Sequence, residues 1–191
     1  YVATQGSDGV SCANATCSTA PGACTNTNSQ LTIANGLTCL SAGDTLYIRG
    51  GTYAETLNMA NMNSGTNFTT GAIMIASYPG ETATMLGGSL TFNTGDNKSY
   101  IIFDRIDLDF NGTSANFYLG DGNHHIRFAN GAIHESDGTN SAGMVAGQAY
   151  AIEILNNDVY GAGAPASNCT SPFGCYAFYY TGHDAMFDGN L

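Results

Sequence analysis

YIIFDRIDLDF, residues Tyr100 to Phe110, carries the pattern that decides the fold. Ile101 and Phe103 alternate with Ile102 and Asp104, and Leu108 and Phe110 are separated by Asp109. Period-two alternation marks strands with one buried face, so the stretch reads as two short strands with a bend near Arg105. The apolar-x-apolar pair recurs as Leu46/Ile48, Ile73/Ile75, Ile101/Phe103, Ile126/Phe128, Ile152/Ile154 and Ala185/Phe187. First members at 46, 73, 101, 126, 152 and 185 are 27, 28, 25, 26 and 33 residues apart. Such a near-constant period is what a solenoid requires, because each turn packs only on its neighbours and the pair must recur to keep the core continuous.

Each repeat holds further strand-like pieces. Leu57/Met59, Met85, Leu108/Phe110, Ile133 and Val159 come second; Leu90/Phe92, Phe117/Leu119, Met144 and Phe178/Tyr180 come third. Three short strands per repeat predict an all-β chain folded as a right-handed parallel β-helix of about six turns, stacked at roughly 4.8 Å. A Greek-key sandwich would place strands about every ten residues without the longer period. The long last interval is assigned to GAGAPASNCTSPFGCY, a loop expected to project from the stack.

Residues 1–42 differ from the rest and are expected to cap residues 43–191 within one domain. They read as a short strand in YVATQGSDG, a Cys-rich segment, and a helix from near Ser29 with Leu31, Ala34, Leu37 and Leu40 as its apolar stripe, weakened by Gly36. At the corner after the first strand of a turn, Asn130 and Asn156, with Arg105 at the equivalent place, predict an asparagine ladder bonded along the stack.

Composition narrows the partners. Four basic residues against fifteen acidic ones give a net charge of −11, which excludes nucleic acid and anionic membranes. No run of about eighteen apolar residues is present, so no membrane span is predicted. Six cysteines, an even number, point to disulfides in an oxidising compartment: Cys169 with Cys175 by proximity, and three open pairings among Cys12, Cys17, Cys24 and Cys39. Sequons at Asn14, Asn67, Asn97, Asn111 and Asn168 are compatible with glycosylation. An extracellular or cell-surface protein is expected.

Three stretches, GDTLYIRGGTYAETL (43–57), AIMIASYPGETATMLGG (72–88) and SYIIFDRIDLDF (99–110), resemble the opening turns of the pectate-lyase-like superfamily of secreted right-handed parallel β-helix proteins. YVATQGSDG is similar to the segment that often begins such chains. The resemblance implies a polysaccharide lyase, a glycosidase, an epimerase or a non-enzymatic surface protein. Lyases of the family typically use a Lys or Arg base, often with calcium held by acidic residues. None of Arg49, Lys98, Arg105 and Arg127 stands in a matching motif, so no catalytic residue is carried over.

Aligning the turns places Asp109, His134 and Tyr160 in one outward column, with Asp107 and Asp158 just ahead. Neighbours in a column lie about 5 Å apart, making Asp107, Asp109, His134 and Asp158 the candidate catalytic set. Carboxylates about 5 Å apart suit a retaining glycosidase and wider pairs an inverting one; Asp107 and Asp109 are also the candidate calcium ligands. His124 and His125 read as surface or turn residues. The chain stops at Leu191 just after the sixth pair, where an open strand edge is expected to pair with another molecule. The sequence thus predicts a secreted structural or surface-interaction protein that self-associates, by head-to-tail filament formation, or binds another extracellular protein. The alternative is a carbohydrate-active enzyme of the pectate-lyase-like fold, a polysaccharide lyase or a glycosidase, or an N-terminal part of one.

Overall fold

A computed structural model describes residues 1–14, 25, 27–136, 144–162 and 176–191. Residues 163–175 of the expected projecting loop, with Cys17, Cys24, Cys169, Cys175 and Asn168, lie outside the described residues, as does the side chain of Asn14.

Sixteen short strands follow one another in chain order as β1 (Thr45–Ile48), β2 (Gly51–Tyr53), β3 (Leu57–Asn58), β4 (Ile73–Ser77), β5 (Ala83–Leu86), β6 (Leu90–Phe92), β7 (Ser99–Asp104), β8 (Ile106–Thr113), β9 (Phe117–Leu119), β10 (His124–Ala129), β11 (Ala132–Ser136), β12 (Val145–Gly147), β13 (Tyr150–Leu155), β14 (Asp158–Tyr160), β15 (Phe178–Tyr180) and β16 (Met186–Asp188). Every third strand pairs in parallel. The first sheet runs β1-β4-β7-β10-β13-β16, the second β2-β5-β8-β11-β14, and the third β3-β6-β9-β12-β15. The chain is therefore a β-solenoid of three-strand coils. Five coils are complete among the described residues and β16 begins a sixth, close to the expected six turns.

Two expected registers are corrected. Leu46 pairs with Ile75 and not with Ile73; a slip of two residues keeps the same face inward, so alternation alone cannot distinguish the two registers. Leu57 pairs with Leu90 in the third sheet, leaving Tyr53 as the inward residue of β2 opposite Met85. From the second coil onward the registers Ile101↔Ile126↔Ile152 and Phe103↔Phe128↔Ile154 are as the repeat predicts. Phe92, Phe103, Phe117 and Phe128 are wholly buried, and their rings interlock at centroid distances of 5.6–6.4 Å.

Corners are made by residues with left-handed backbone. Arg105, Asn130 and Asn156 have φ of 56°, 58° and 54°, and Gly189 continues their column. An expected ladder between Asn130 and Asn156 is not what holds this corner: Asn130 Nδ2 donates to Asp104 Oδ1 at 2.8 Å. The inward side chain is one residue later. Asn157, 1% exposed, accepts from Gly131 N (2.9 Å) and donates to Phe128 O (3.0 Å) and Asn190 Oδ1 (3.1 Å). A left-handed residue turns the chain so that its own side chain leaves the corner and the next one enters it.

The cap forms over the first coil. Val2 bridges both Ile48 and Gln30 in parallel, and a helix α1 spans Ile33–Leu37, shorter than expected, with Thr32 as its N-cap. Its buried side is Ile33, Gly36 and Leu37, while Leu31 and Ala34 are exposed, so the expected stripe is displaced. Gly36 fits because a Cβ there would lie 2.7 Å from Val2 Cγ2. Glu55 accepts from Ile33 N and Ala34 N, tying the helix to the first coil. Cys12 and Cys39 form a disulfide, one of the pairings the sequence left open, as expected of a chain matured under oxidising conditions.

Candidate functional site

The outward face of the second sheet assembles the site. Register places Thr84, Asp107, Ala132 and Asp158 in one column, and Leu86, Asp109, His134 and Tyr160 in the next. This column order is the one read from the aligned repeats. Inward positions of the same strands are filled by Met85, Leu108 and Ile133, so the backbone that carries the polar residues is fixed from behind.

His134 is the centre of the arrangement and is 8% exposed although it points away from the core. Its Nε2 lies 2.8 Å from Asp107 Oδ1, and because a carboxylate oxygen accepts, Nε2 is the donor. The other Asp107 oxygen accepts from Thr84 Oγ1 at 2.9 Å. His134 Nδ1 is buried without a hydrogen-bond partner and stands 3.9 Å from Asp109 Oδ1, beyond hydrogen-bond reach. Asp109 Oδ1 instead accepts from Asn111 N at 2.8 Å. Burial of the ring comes from Tyr160, which stacks on it at 4.6 Å with an interplanar angle of 8°.

Tyr160 remains 51% exposed on its outer side. Its hydroxyl is pushed above the ordinary tyrosine value, first by burial and then by the carboxylates of Asp107, Glu135, Asp109 and Asp158. It therefore stays protonated and able to donate. A groove of ≈ 500 Å³ runs alongside, walled by Glu81, Arg105, Asp107, His134, Asp158 and Tyr160. Ala132 stands between Asp107 and Asp158, so these carboxylates flank a small residue across two rungs, roughly 9.6 Å of backbone rise.

Charge on the walls is mostly committed. Glu81 accepts from Arg49 Nε at 2.9 and 3.1 Å and from Gly50 N at 2.6 Å. The bond with Arg49 holds the Glu81 carboxyl below its ordinary value. Arg105, the one arginine or lysine lining the groove, pairs with Asp104 Oδ2 at 2.8 Å. Such a surface offers hydrogen-bond acceptors, one exposed aromatic face and little net positive charge.

Three of the four predicted residues, Asp107, His134 and Asp158, line the groove, while Asp109 stands one rung along the column from His134 and is not part of the lining. Sequence reading aligned Tyr160 with them but gave it no role, and assigned Arg105 to the corner alone. The signal available was the column, which puts Tyr160 beside His134; the stack itself is set by side-chain rotamers, which the period does not carry. Among the described residues no group of three or more His, Cys, Asp or Glu side chains is arranged to hold a metal ion. No helix among them is long and apolar enough to cross a membrane. Of the sequons, Asn67, Asn97 and Asn111 are exposed.

Comparison of the chain with models of known protein families, with curated proteins and with solved structures finds no match.

Proposed function

We propose that this is an extracellular surface-interaction β-helix protein that binds a neutral polysaccharide along the groove of its second sheet. The observation that carries the reading is the stack of Tyr160 on His134, anchored by Asp107 and Thr84. A half-exposed ring held rigid by its neighbours costs little ordering entropy when the apolar face of a sugar packs on it. Carboxylates on either side accept sugar hydroxyls. Asp107, Asp158 and Glu81 against a single paired arginine disfavour uronate-rich chains. The resemblance of residues 43–110 to the pectate-lyase-like superfamily supports a carbohydrate partner, and the Cys12–Cys39 bridge supports an extracellular setting.

A second reading is hydrolysis of the bound chain. Asp107 and Asp158 share a column two rungs apart, near the upper end of the wide carboxylate separation used by inverting glycosidases and well beyond the roughly 5 Å of retaining ones. Head-to-tail self-association is a separate proposal. Sedimentation velocity tests it: one species at all concentrations removes it.

Affinity electrophoresis against neutral and uronate polysaccharides, with and without calcium, tests the main reading. Retardation by a neutral polysaccharide, weakened at least about tenfold by Tyr160→Ala (about 1.4 kcal/mol), is expected. Retardation only by uronates, or no effect of Tyr160→Ala in a variant with wild-type circular dichroism, overturns it. Product release lost in Asp158→Asn would add the hydrolytic step; binding without product release removes that step alone.

A further inference from the structure

Consecutive residues of a strand point to opposite faces. His124 and His125, at the start of β10, do not. His125 has a left-handed backbone, φ 53°, and its Nδ1 lies 2.7 Å from Nδ1 of His124. The conformation belongs to the column, because Tyr100, Ala151 and Asp184 occupy the equivalent place in neighbouring coils and share it. Of the four residue pairs at this corner, only this one consists of two imidazoles.

Both rings are held from outside the pair. Tyr100 stacks on His125 at 4.6 Å and 29°, and Tyr150 stacks on His124 at 4.8 Å and 19°. Phe68 lies 5.9 Å from His125. As described, one Nδ1–H donates to the other nitrogen, and that proton occupies the space between two lone-pair directions. A metal ion would sit beside the nitrogen–nitrogen line: two metal–nitrogen bonds of about 2.0–2.1 Å at a right angle hold their nitrogens roughly 2.9 Å apart. The nitrogens already stand close to that separation; to bind, each ring turns in its own plane, against its tyrosine, until both lone pairs leave that line and meet at the ion.

We propose that His124 and His125 form a two-imidazole site for a divalent first-row transition ion, with Cu²⁺ preferred over Ni²⁺ and Zn²⁺. Water completes the coordination, consistent with the absence of any three-ligand group among the described residues. The order of preference follows from nitrogen ligation and a tetragonal right-angle pair. A net charge of −11 raises the local concentration of cations. Tyr100 and Tyr150 act as positioning residues. The site lies at the start of β10, an inner strand of the first sheet, and does not depend on the saccharide reading of the second.

Isothermal titration of the disulfide-intact chain with Cu²⁺, in a non-coordinating buffer, tests the proposal together with electron paramagnetic resonance and paramagnetic broadening of the histidine ring protons. Saturable binding with nitrogen hyperfine structure is expected, with broadening centred on His124 and His125. The variant His124→Gln/His125→Asn is expected to weaken it by more than about 100-fold, and Tyr150→Ala by about tenfold. Asn is chosen at 125 because it tolerates the left-handed backbone, which keeps the fold. Unchanged affinity in the double variant, broadening centred on His134, His183 or the amino terminus, or no saturable binding to the wild type overturns the proposal.

Discussion

Replacing Asn157 separates the corner described here from the one the sequence predicts. Its side chain makes three hydrogen bonds, to Gly131 N, Phe128 O and Asn190 Oδ1, at 1% exposure. Asn157→Ala removes all three. At a net ~0.5–1.5 kcal/mol each, the loss sums to about 1.5–4.5 kcal/mol. Asn156, its exposed neighbour, has left-handed backbone, so Asn156→Ala forfeits mainly that preference, about 1 kcal/mol. Asn156→Gly relieves even this. Asn157→Asp adds a sign test: it keeps the acceptor for Gly131 N but faces Phe128 O and Asn190 Oδ1 with a group that must carry a proton to donate. Folding then favours the protonated carboxyl and raises its folded pKa. The variant is expected to regain stability as pH falls and to lose it as pH rises through that folded value. Urea unfolding followed by circular dichroism reads these differences as midpoint shifts at constant slope. An Asn156→Ala cost equal to or larger than that of Asn157→Ala would refute the inward-residue account of the corner.

Other consequences are equally specific. Gly36→Ala should destabilise by about 1–3 kcal/mol despite the better helix propensity of alanine, because the added methyl meets Val2 Cγ2 at 2.7 Å and Leu46 at 3.1 Å; a raised melting temperature would contradict the cap packing. Glu81 has a folded carboxyl pKa below its ordinary value through its bond to Arg49. Its contribution is present above the unfolded value and lost as pH falls through the folded one. The stability gap between wild type and Glu81→Gln should therefore be open at pH 7 and narrow progressively as pH falls below the ordinary glutamate range, and a gap that does not narrow in acid would show another cause.

Much of the architecture was legible because a solenoid writes its period into the chain. The pairs from Ile73 to Ile154 gave the stacking, and the polar column gave Asp107, Asp109, His134, Asp158 and Tyr160 as neighbours. The failures share a cause in what one-dimensional pattern omits. Register at Leu46 slipped by two because that slip conserves facing. The helix stripe was misread because glycine at position 36 counts against a helix by propensity, while in space it admits Val2 and Leu46. His124 and His125 read as surface or turn residues with no tie between them; a left-handed backbone, invisible in the residue types, puts them together. Tyr160 was aligned correctly but its stacking on His134 follows from side-chain rotamers and not from periodicity.

The central claim is that the outward face of the second sheet receives a neutral saccharide, and amide chemical-shift mapping tests it most directly. Titrating the ¹⁵N-labelled chain with a neutral oligosaccharide is predicted to shift amides of β8, β11 and β14, Asp107, His134 and Tyr160 foremost, and to leave those of the first sheet in place. Shifts centred on the first or third sheet, or none with any neutral oligosaccharide tried, would contradict it.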